Sequence, residues 1–298
     1  IELSSKELPV PYVEGALSAY IPFNFSSGGW YKGLIPKVTY RIGNDMFKKS
    51  IAVMDLEQMT GTNQNGELSD RYNPVFSYVT SGKNVFRHSL SGSVRAYTMQ
   101  NTPNSAVYPR WGIGVEAGAS GNLESGNILA PMGYFYTYGY IPGIMREHGI
   151  KLTAVTQFKL KKDSVFGQTA VNFLPRGLAS NSPILSWLSI RNKNAAKLTS
   201  DYALPIFIGD LSIGGSFFSI KRLVLTPHFD FSIIGNGSLW SAGTDLTLDM
   251  HSILTLEWPC SFGVTFSYNG GPSFDSIMEE SGIEMNRFHI GPTFNVTF

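Results

Sequence analysis

The chain has 298 residues, of which 43% are hydrophobic, 13% aromatic and only 15% charged, and its mean hydropathy is -0.02. A soluble globular domain usually carries about 25% charged residues, and a bundle of membrane helices would be far more hydrophobic, so this composition fits neither class. The formal net charge of +1 gives no electrostatic reason to expect nucleic acid as a partner.

No stretch of the sequence reaches the roughly 20 consecutive apolar residues of a membrane-spanning helix. The 31 glycines and 16 prolines are spread along the chain, which disfavours long helices. Cys260 is the only cysteine, so an internal disulfide cannot form. Because the chain begins at Ile1 without methionine, we expect a processed protein or the C-terminal part of a longer one, with residues 1–298 in a single domain.

Apolar and polar residues alternate along most of the chain, which is the period of a β-strand with one apolar face. The alternation predicts twelve strands, at residues 13–22, 34–43, 46–55, 85–99, 109–118, 132–141, 148–161, 196–206, 220–232, 240–250, 258–269 and 287–298. Fourteen strands are the alternative, if 75–81 and 165–173 pair as well. One face of the 132–141 strand carries four tyrosines, and alternation alone leaves open whether this face meets lipid or the lumen.

The C-terminal strand shows the alternation most clearly. Its apolar parity comprises Phe288, Ile290, Phe294, Val296 and Phe298. The strands of a soluble β-sandwich or propeller also alternate. Here, however, consecutive strands carry large aromatic residues on one face and Gly, Ser, Thr and Asp on the other. This inverted pattern indicates that the polar face is the enclosed one. We therefore predict an all-β fold, a transmembrane antiparallel up-and-down β-barrel of twelve strands.

The predicted loops alternate in length along the chain. The longer ones, all at one end of the strands, are 56–84, 119–131, 162–195 and 270–286. Bacterial barrels have long outer loops and short periplasmic turns, so we expect both termini on the periplasmic side.

The C-terminal strand also resembles the outer-membrane targeting signal that the barrel-assembly machinery reads. That signal has a glycine, then spaced hydrophobic residues and a terminal aromatic residue. Here those roles fall to Gly291, Phe294, Val296 and Phe298. The resemblance implies insertion by that machinery into a bacterial outer membrane, in contact with outer-membrane lipid and lipopolysaccharide.

Several internal segments resemble the C-terminal barrel of large Bacteroidota outer-membrane proteins, some of which carry TolB-like propeller repeats upstream and which are loosely related to the surface-antigen barrels. The segments are 20–40, 108–118, 138–158, 173–178, 200–206 and 217–231. The resemblance implies a barrel and its compartment, but no particular activity. It also implies that a periplasmic or exposed domain precedes this part of the chain.

Charged residues of both signs lie on the predicted lumenal face. The predicted lumenal polar network comprises Glu116, Lys151, Asp201, Arg222, His228, Asp230, Asp245 and Asp249. A selective pore would show rings of one sign, whereas mixed signs favour cross-strand pairing in a narrow or filled lumen. His228 and Asp230 could form an acid–base pair or hold a metal, but we favour a charge network that braces the barrel wall. Arg176, in the FLPRGL segment, could fold inward, pair with lumenal acids and partly plug the barrel.

Three functional hypotheses follow. The favoured one is a non-enzymatic, porin-like barrel that acts as a membrane anchor, a pore or a subunit of an outer-membrane complex, because no GxSxG motif occurs. The second is an outer-membrane enzyme with a site around His228 and Asp230. The third is a surface binding module that uses loops 56–84 and 162–195. We predict no catalytic residue, no metal site and no cofactor.

Overall fold

A computed structural model describes residues 13–43, 52–62, 68–78, 87–103, 105–123, 129–130, 132–160, 166–167, 173–178, 194–213, 218–253, 260–281 and 286–296. The described residues are almost entirely β-strand, which confirms the predicted fold class, and they include one helix, α1 (Pro272–Ser281).

The strands are β1 (Glu14–Tyr20), β2 (Phe23–Asn24), β3 (Trp30–Gly43), β4 (Ala52–Thr62), β5 (Leu68–Tyr78), β6 (Arg87–Gln100), β7 (Gly112–Asn122), β8 (Leu129–Ala130), β9 (Met132–Pro142), β10 (Gly149–Lys159), β11 (Phe166–Gly167), β12 (Ala195–Ile213), β13 (Phe218–Ile234), β14 (Gly237–Ile253), β15 (Cys260–Gly270) and β16 (Phe288–Val296).

Twelve of these strands form one antiparallel sheet with up-and-down connectivity. The order of the sheet is β1–β3–β6–β7–β9–β10–β12–β13–β14–β15–β16, and the short β2 pairs with β3. Two small sheets, antiparallel β4–β5 and parallel β8–β11, lie in the connections between long strands. The connectivity is that of the predicted barrel. Within the described residues β1 and β16 form no ladder with each other, so the sheet is open between them.

The described parts of the predicted strands at 46–55, 75–81 and 165–173, which are residues 52–55, 75–78, 166–167 and 173, are not in this sheet. β3 pairs directly with β6, ending at Gly43 opposite Arg87, and the chain between them forms the separate β4–β5 hairpin. Within 165–173, the described pairing is that of the two-residue β11 with β8. Alternation detects a strand without identifying its partner, so a hairpin outside the sheet gives the same signal as a wall strand. The twelfth strand of the sheet is the short β2, which pairs with β3, and not one of these predicted strands.

The two ends of the sheet differ in the length of their connections. The long-loop end carries the connections 44–86, 123–131, 160–194 and 271–287, together with the two-residue turn between β13 and β14. The short-loop end carries the connections 21–29, 101–111, 143–148, 214–217 and 254–259. Glu14 lies at the long-loop end, and Val296 lies at the short-loop end. Residues 1–12 and 297–298 are outside the described residues, so the periplasmic position of both termini stays a prediction.

The sheet has one apolar face, which is exposed, and one polar face, which is covered over β12–β15, whereas β1 is exposed on both faces. In β15 the apolar residues Phe262, Val264 and Phe266 are 42%, 50% and 40% exposed, whereas Ser267 and Asn269 on the opposite face are fully buried. A soluble protein shows the reverse arrangement. The structure therefore confirms the inverted pattern that the alternation predicts.

The residues of the predicted targeting signal lie largely in the last strand of the sheet. Gly291, Phe294 and Val296 belong to β16, which pairs with β15 along its whole length. The Phe294 ring packs against Phe262 of β15, with ring centroids 4.6 Å apart. Phe298 is outside the described residues, and the recognition of this strand by an assembly machinery stays a prediction.

Candidate functional site

A short segment of the long 160–194 connection, Phe173–Leu178, lies against the polar face and is called the plug segment below. Its apolar side chains Phe173, Leu174 and Leu178 are almost completely buried. Two side chains of the wall bind its backbone. Ser232 Oγ donates to the Phe173 carbonyl at 2.6 Å, and Lys197 Nζ donates to the Leu174 carbonyl at 2.7 Å. The plug segment thus has the burial of a core element although it belongs to a loop.

A tight turn gives the plug segment its shape. The Leu178 amide donates to the Pro175 carbonyl at 3.2 Å, and Gly177 has a positive φ of 84°. A side chain at Gly177 would also collide with Ser267 Oγ of β15. Glycine is therefore required here for two reasons, the left-handed backbone and the close approach to the wall.

Arg176 connects three strands of the wall through their acidic side chains. Its Nη2 donates to Asp230 Oδ1 at 2.7 Å and also to Asp201, and its Nη1 lies 3.4 Å from Asp245 Oδ2. The Arg176 amide donates to Asp230 Oδ2 at 2.9 Å, and Lys197 Nζ lies 3.3 Å from the same oxygen. Burial disfavours the charged guanidinium, but the hydrogen bond to Asp230 and the charge of Asp201 outweigh burial and raise the pKa of Arg176.

His228 and Asp230 have different partners and do not face each other as a pair. Asp230 binds Arg176, whereas His228 Nδ1 lies 3.4 Å from Asp245 Oδ2. Asp245 also accepts a hydrogen bond from Thr265. Among the residues that the structure describes, no three His, Cys, Asp or Glu side chains are grouped so as to hold a metal ion. The geometry is that of a bracing network of charges.

A second ion pair lies nearer the short-loop end of the polar face. Arg222 Nε donates to Asp249 Oδ2 at 2.5 Å, and its Nη1 donates to the Ala106 carbonyl at 2.7 Å. Ala106 belongs to the 101–111 connection, which therefore turns inward over the polar face. The polar face is thus covered at two levels, by the plug segment and by this connection.

The 101–111 connection also holds Tyr108 in a partly buried position. Its ring lies 5.6 Å from that of Tyr140, measured between centroids, and beside Gly149 at the start of β10. Burial, and secondarily the negative charge of Asp201, raise the pKa of the Tyr108 phenol. Tyr108 therefore stays neutral at ordinary pH and adds no charge to the lumen.

The tyrosines of β9 face the polar side of the sheet, which settles the orientation that alternation leaves open. Tyr134 donates to Glu116 Oε1 at 2.7 Å, and Arg95 Nη2 donates to the Tyr138 hydroxyl at 3.2 Å. The Tyr138 ring occupies the space over Gly114 of β7, where a side chain would clash. Aromatic rings that cover glycines of a neighbouring strand stabilise curved sheets.

The structure divides the eight predicted network residues among these groups. Asp201, Asp230 and Asp245 contact Arg176, and His228 lies beside Asp245. Arg222 pairs with Asp249, and Glu116 accepts a hydrogen bond from Tyr134. Lys151 lies opposite Asp201 in the register of β10 and β12, but Asp201 binds Arg176. Lys197 is a member that the sequence prediction misses. Lys197 and Asp201 are four residues apart on β12, so they lie on the same face of the strand. This spacing is the sequence signal that could have identified Lys197.

Comparison with protein-family models and with curated proteins gives no match to this chain. Within the described ranges, no helix combines the length and the apolar character that crossing a membrane requires.

Proposed function

We propose that this protein is an integral β-barrel of a bacterial outer membrane, held in the bilayer by the apolar face of its sheet. The inverted burial of the two faces carries the proposal. In β14 and β15 the outward Leu246 and Val264 are exposed, while the inward Ser241 and Ser267 are fully buried. A soluble monomer rarely exposes a continuous apolar surface of this kind. A lipid bilayer covers such a surface without leaving backbone groups unsatisfied wherever neighbouring strands pair, and the proposal includes closure of the barrel between β1 and β16.

Aromatic side chains at the long-loop end support the same proposal. Trp240, Tyr268 and Phe288 lie side by side on three neighbouring strands of the apolar face. Their ring centroids are 5.8 Å apart for the first two residues and 4.9 Å apart for the last two. Outer-membrane barrels carry such aromatic girdles where the apolar band meets the headgroups.

The filled polar face favours a membrane anchor, or a subunit of an outer-membrane complex, over an open porin-like pore. Arg176 joins three strands across the polar face, and Phe173, Leu174 and Leu178 fill the space beside it. On this proposal the barrel is the C-terminal part of a large Bacteroidota outer-membrane protein. Its partners are outer-membrane lipid, lipopolysaccharide, the barrel-assembly machinery and other proteins of the complex.

The enzyme hypothesis has less support, because His228 and Asp230 are each engaged with a different charged residue. The binding-module hypothesis depends on loops 56–84 and 162–195. The structure describes the β4–β5 hairpin in the first loop, and mainly β11 and the plug segment in the second. No contact within the described residues favours either one.

Planar-bilayer recording of the purified protein tests the proposed function. We expect membrane insertion without a steady conductance, and we expect Arg176→Met to introduce conducting events because Asp230 is left buried beneath the plug segment without its arginine partner. Arg146→Met, which changes an exposed arginine of the 143–148 turn, is the matched control and should stay silent. A large, stable wild-type conductance would contradict the sealed anchor. A water-soluble wild-type monomer would contradict the membrane barrel itself.

A further inference from the structure

Helix α1 and the plug segment share one buried cluster at the long-loop end. Phe274 of α1 is fully buried and belongs to the same cluster as the apolar side chains of the plug segment. Ile234 and Leu239, at the facing ends of β13 and β14, complete the floor of this cluster. The helix therefore contributes a buried ring to the same apolar cluster as the plug segment.

Among the described residues, two side-chain hydrogen bonds hold α1 to its surroundings, one partly buried and one exposed. The Ser238 amide donates to Ser273 Oγ at 2.8 Å. Arg287 pairs with Asp275 at 2.5 Å, but both side chains are substantially exposed to solvent. An exposed ion pair of this kind contributes little to stability. The position of α1 thus depends mainly on the burial of Phe274.

The ion pairs of Arg176 are a weak source of net stability for the plug segment. Taking a guanidinium and carboxylates out of water costs about as much free energy as their attraction returns. Such a network fixes the position of Arg176 more than it holds the segment down. The net stabilisation comes from apolar burial, and that burial is completed by the Phe274 ring.

We propose that α1 is the latch of the plug segment, so that displacing Phe274 releases the plug segment and opens the lumen toward the long-loop end. This inference rests on the proposed sealed barrel and adds the element that controls the seal. Breaking the contact between α1 and the plug segment is sufficient for release, although all ion pairs of Arg176 can still form.

Limited trypsin digestion in detergent micelles tests the latch, because cleavage between Arg176 and Gly177 requires the plug segment to leave the wall. Proteolysis of this kind follows the population of the locally open state. We expect Phe274→Ala to raise the rate of this cleavage by about tenfold or more, since it removes a fully buried ring. Ser276→Ala, at an exposed position of the same helix, is the matched control and should cleave like the wild type. The cleavage site is identified by mass spectrometry.

A reversible crosslink separates the position of α1 from the loss of the ring. A side chain at Gly237 would place its Cβ 3.2 Å from Ser273 Cβ, close to the roughly 3.5–4.5 Å of a disulfide. In a Cys260→Ser background, Phe274→Ala is combined with Gly237→Cys and Ser273→Cys. We expect oxidation to slow the cleavage, because it holds α1 in place without restoring the ring, and we expect reduction to restore the fast rate. If Phe274→Ala does not fold, Phe274→Leu takes its place in both experiments.

Two results would overturn the latch: a folded Phe274 variant that cleaves at the wild-type rate, or equal cleavage of the oxidised and reduced crosslinked protein. The outcome is independent of the bilayer recording. If the wild type conducts and the Phe274 variant is cleaved faster, only the sealed anchor is contradicted. If the wild type is silent and the Phe274 variant is cleaved at the wild-type rate, only the latch is contradicted.

Discussion

Replacing Arg176 by methionine removes the cation that three strands share and keeps most of the apolar volume. Asp230, whose side chain is 0% exposed, keeps Lys197 at 3.3 Å as its one ion-pair partner among the described residues. Asp201 and Asp245 keep 14% and 22% exposure, so water can partly replace the lost guanidinium. Breaking a buried pair typically costs about 3–5 kcal/mol. Because two of the three acids stay partly hydrated, we expect a loss of about 3 kcal/mol in the free energy of unfolding.

Urea unfolding in lipid vesicles, followed by tryptophan fluorescence, measures this loss. Arg146→Met should change the free energy of unfolding by less than about 0.5 kcal/mol, as an exposed surface substitution does. A double-mutant cycle with Asp230→Asn should give a coupling of about 2 kcal/mol, because the two side chains are in direct contact. A loss below about 1 kcal/mol for Arg176→Met, or additive effects in the cycle, would refute the reasoning.

Three further predictions follow. Gly177→Ala should lower the free energy of unfolding by about 2–4 kcal/mol in the same assay, because it adds left-handed strain and a clash with Ser267; an unchanged value would contradict the turn geometry. Burial raises the folded pKa of Tyr108 above the unfolded value of about 10, so the unfolded chain loses this proton first. Stability should therefore fall as the pH rises above about 10, and less steeply in Tyr108→Phe; parallel curves would count against this burial. Leu246→Arg on the apolar face should cost about 2–4 kcal/mol in a bilayer, and Ile233→Arg near the long-loop end about 0–1 kcal/mol; equal costs would argue against a membrane midplane near Leu246.

Alternation was sufficient to predict the fold class and the orientation of most strands, because a period of two separates the faces of any strand. It could not predict which strands pair. Residues 46–55 alternate like their neighbours, yet the described part of this region, β4, pairs with β5 outside the large sheet. Register is a property of two strands together. The orientation of the β9 tyrosines also depends on a neighbouring strand, because the Tyr138 ring lies over Gly114 of β7.

The charged residues of the candidate site were easier to predict than their partners. Asp201, Asp230 and Asp245 lie on the polar parity of three strands, so one shared face follows from the sequence. Their convergence on Arg176 depends on the path of a loop, which no periodicity encodes. The sequence indicates that the Arg-Gly segment could turn inward, and the structure adds the reason: Gly177 alone allows the turn to approach the wall.

Nitroxide labels on neighbouring residues of β6 test most directly whether the apolar face meets lipid. Val94 is exposed on the apolar face, and Ser93 lies on the polar face. Each is replaced by cysteine in a Cys260→Ser background, labelled, and examined in vesicles for collisions with oxygen and with a water-soluble nickel complex. We predict that the label at residue 94 collides mainly with oxygen and the label at residue 93 mainly with nickel. If the label at residue 94 were the more accessible to nickel, the apolar face would be in water and the membrane barrel would be wrong.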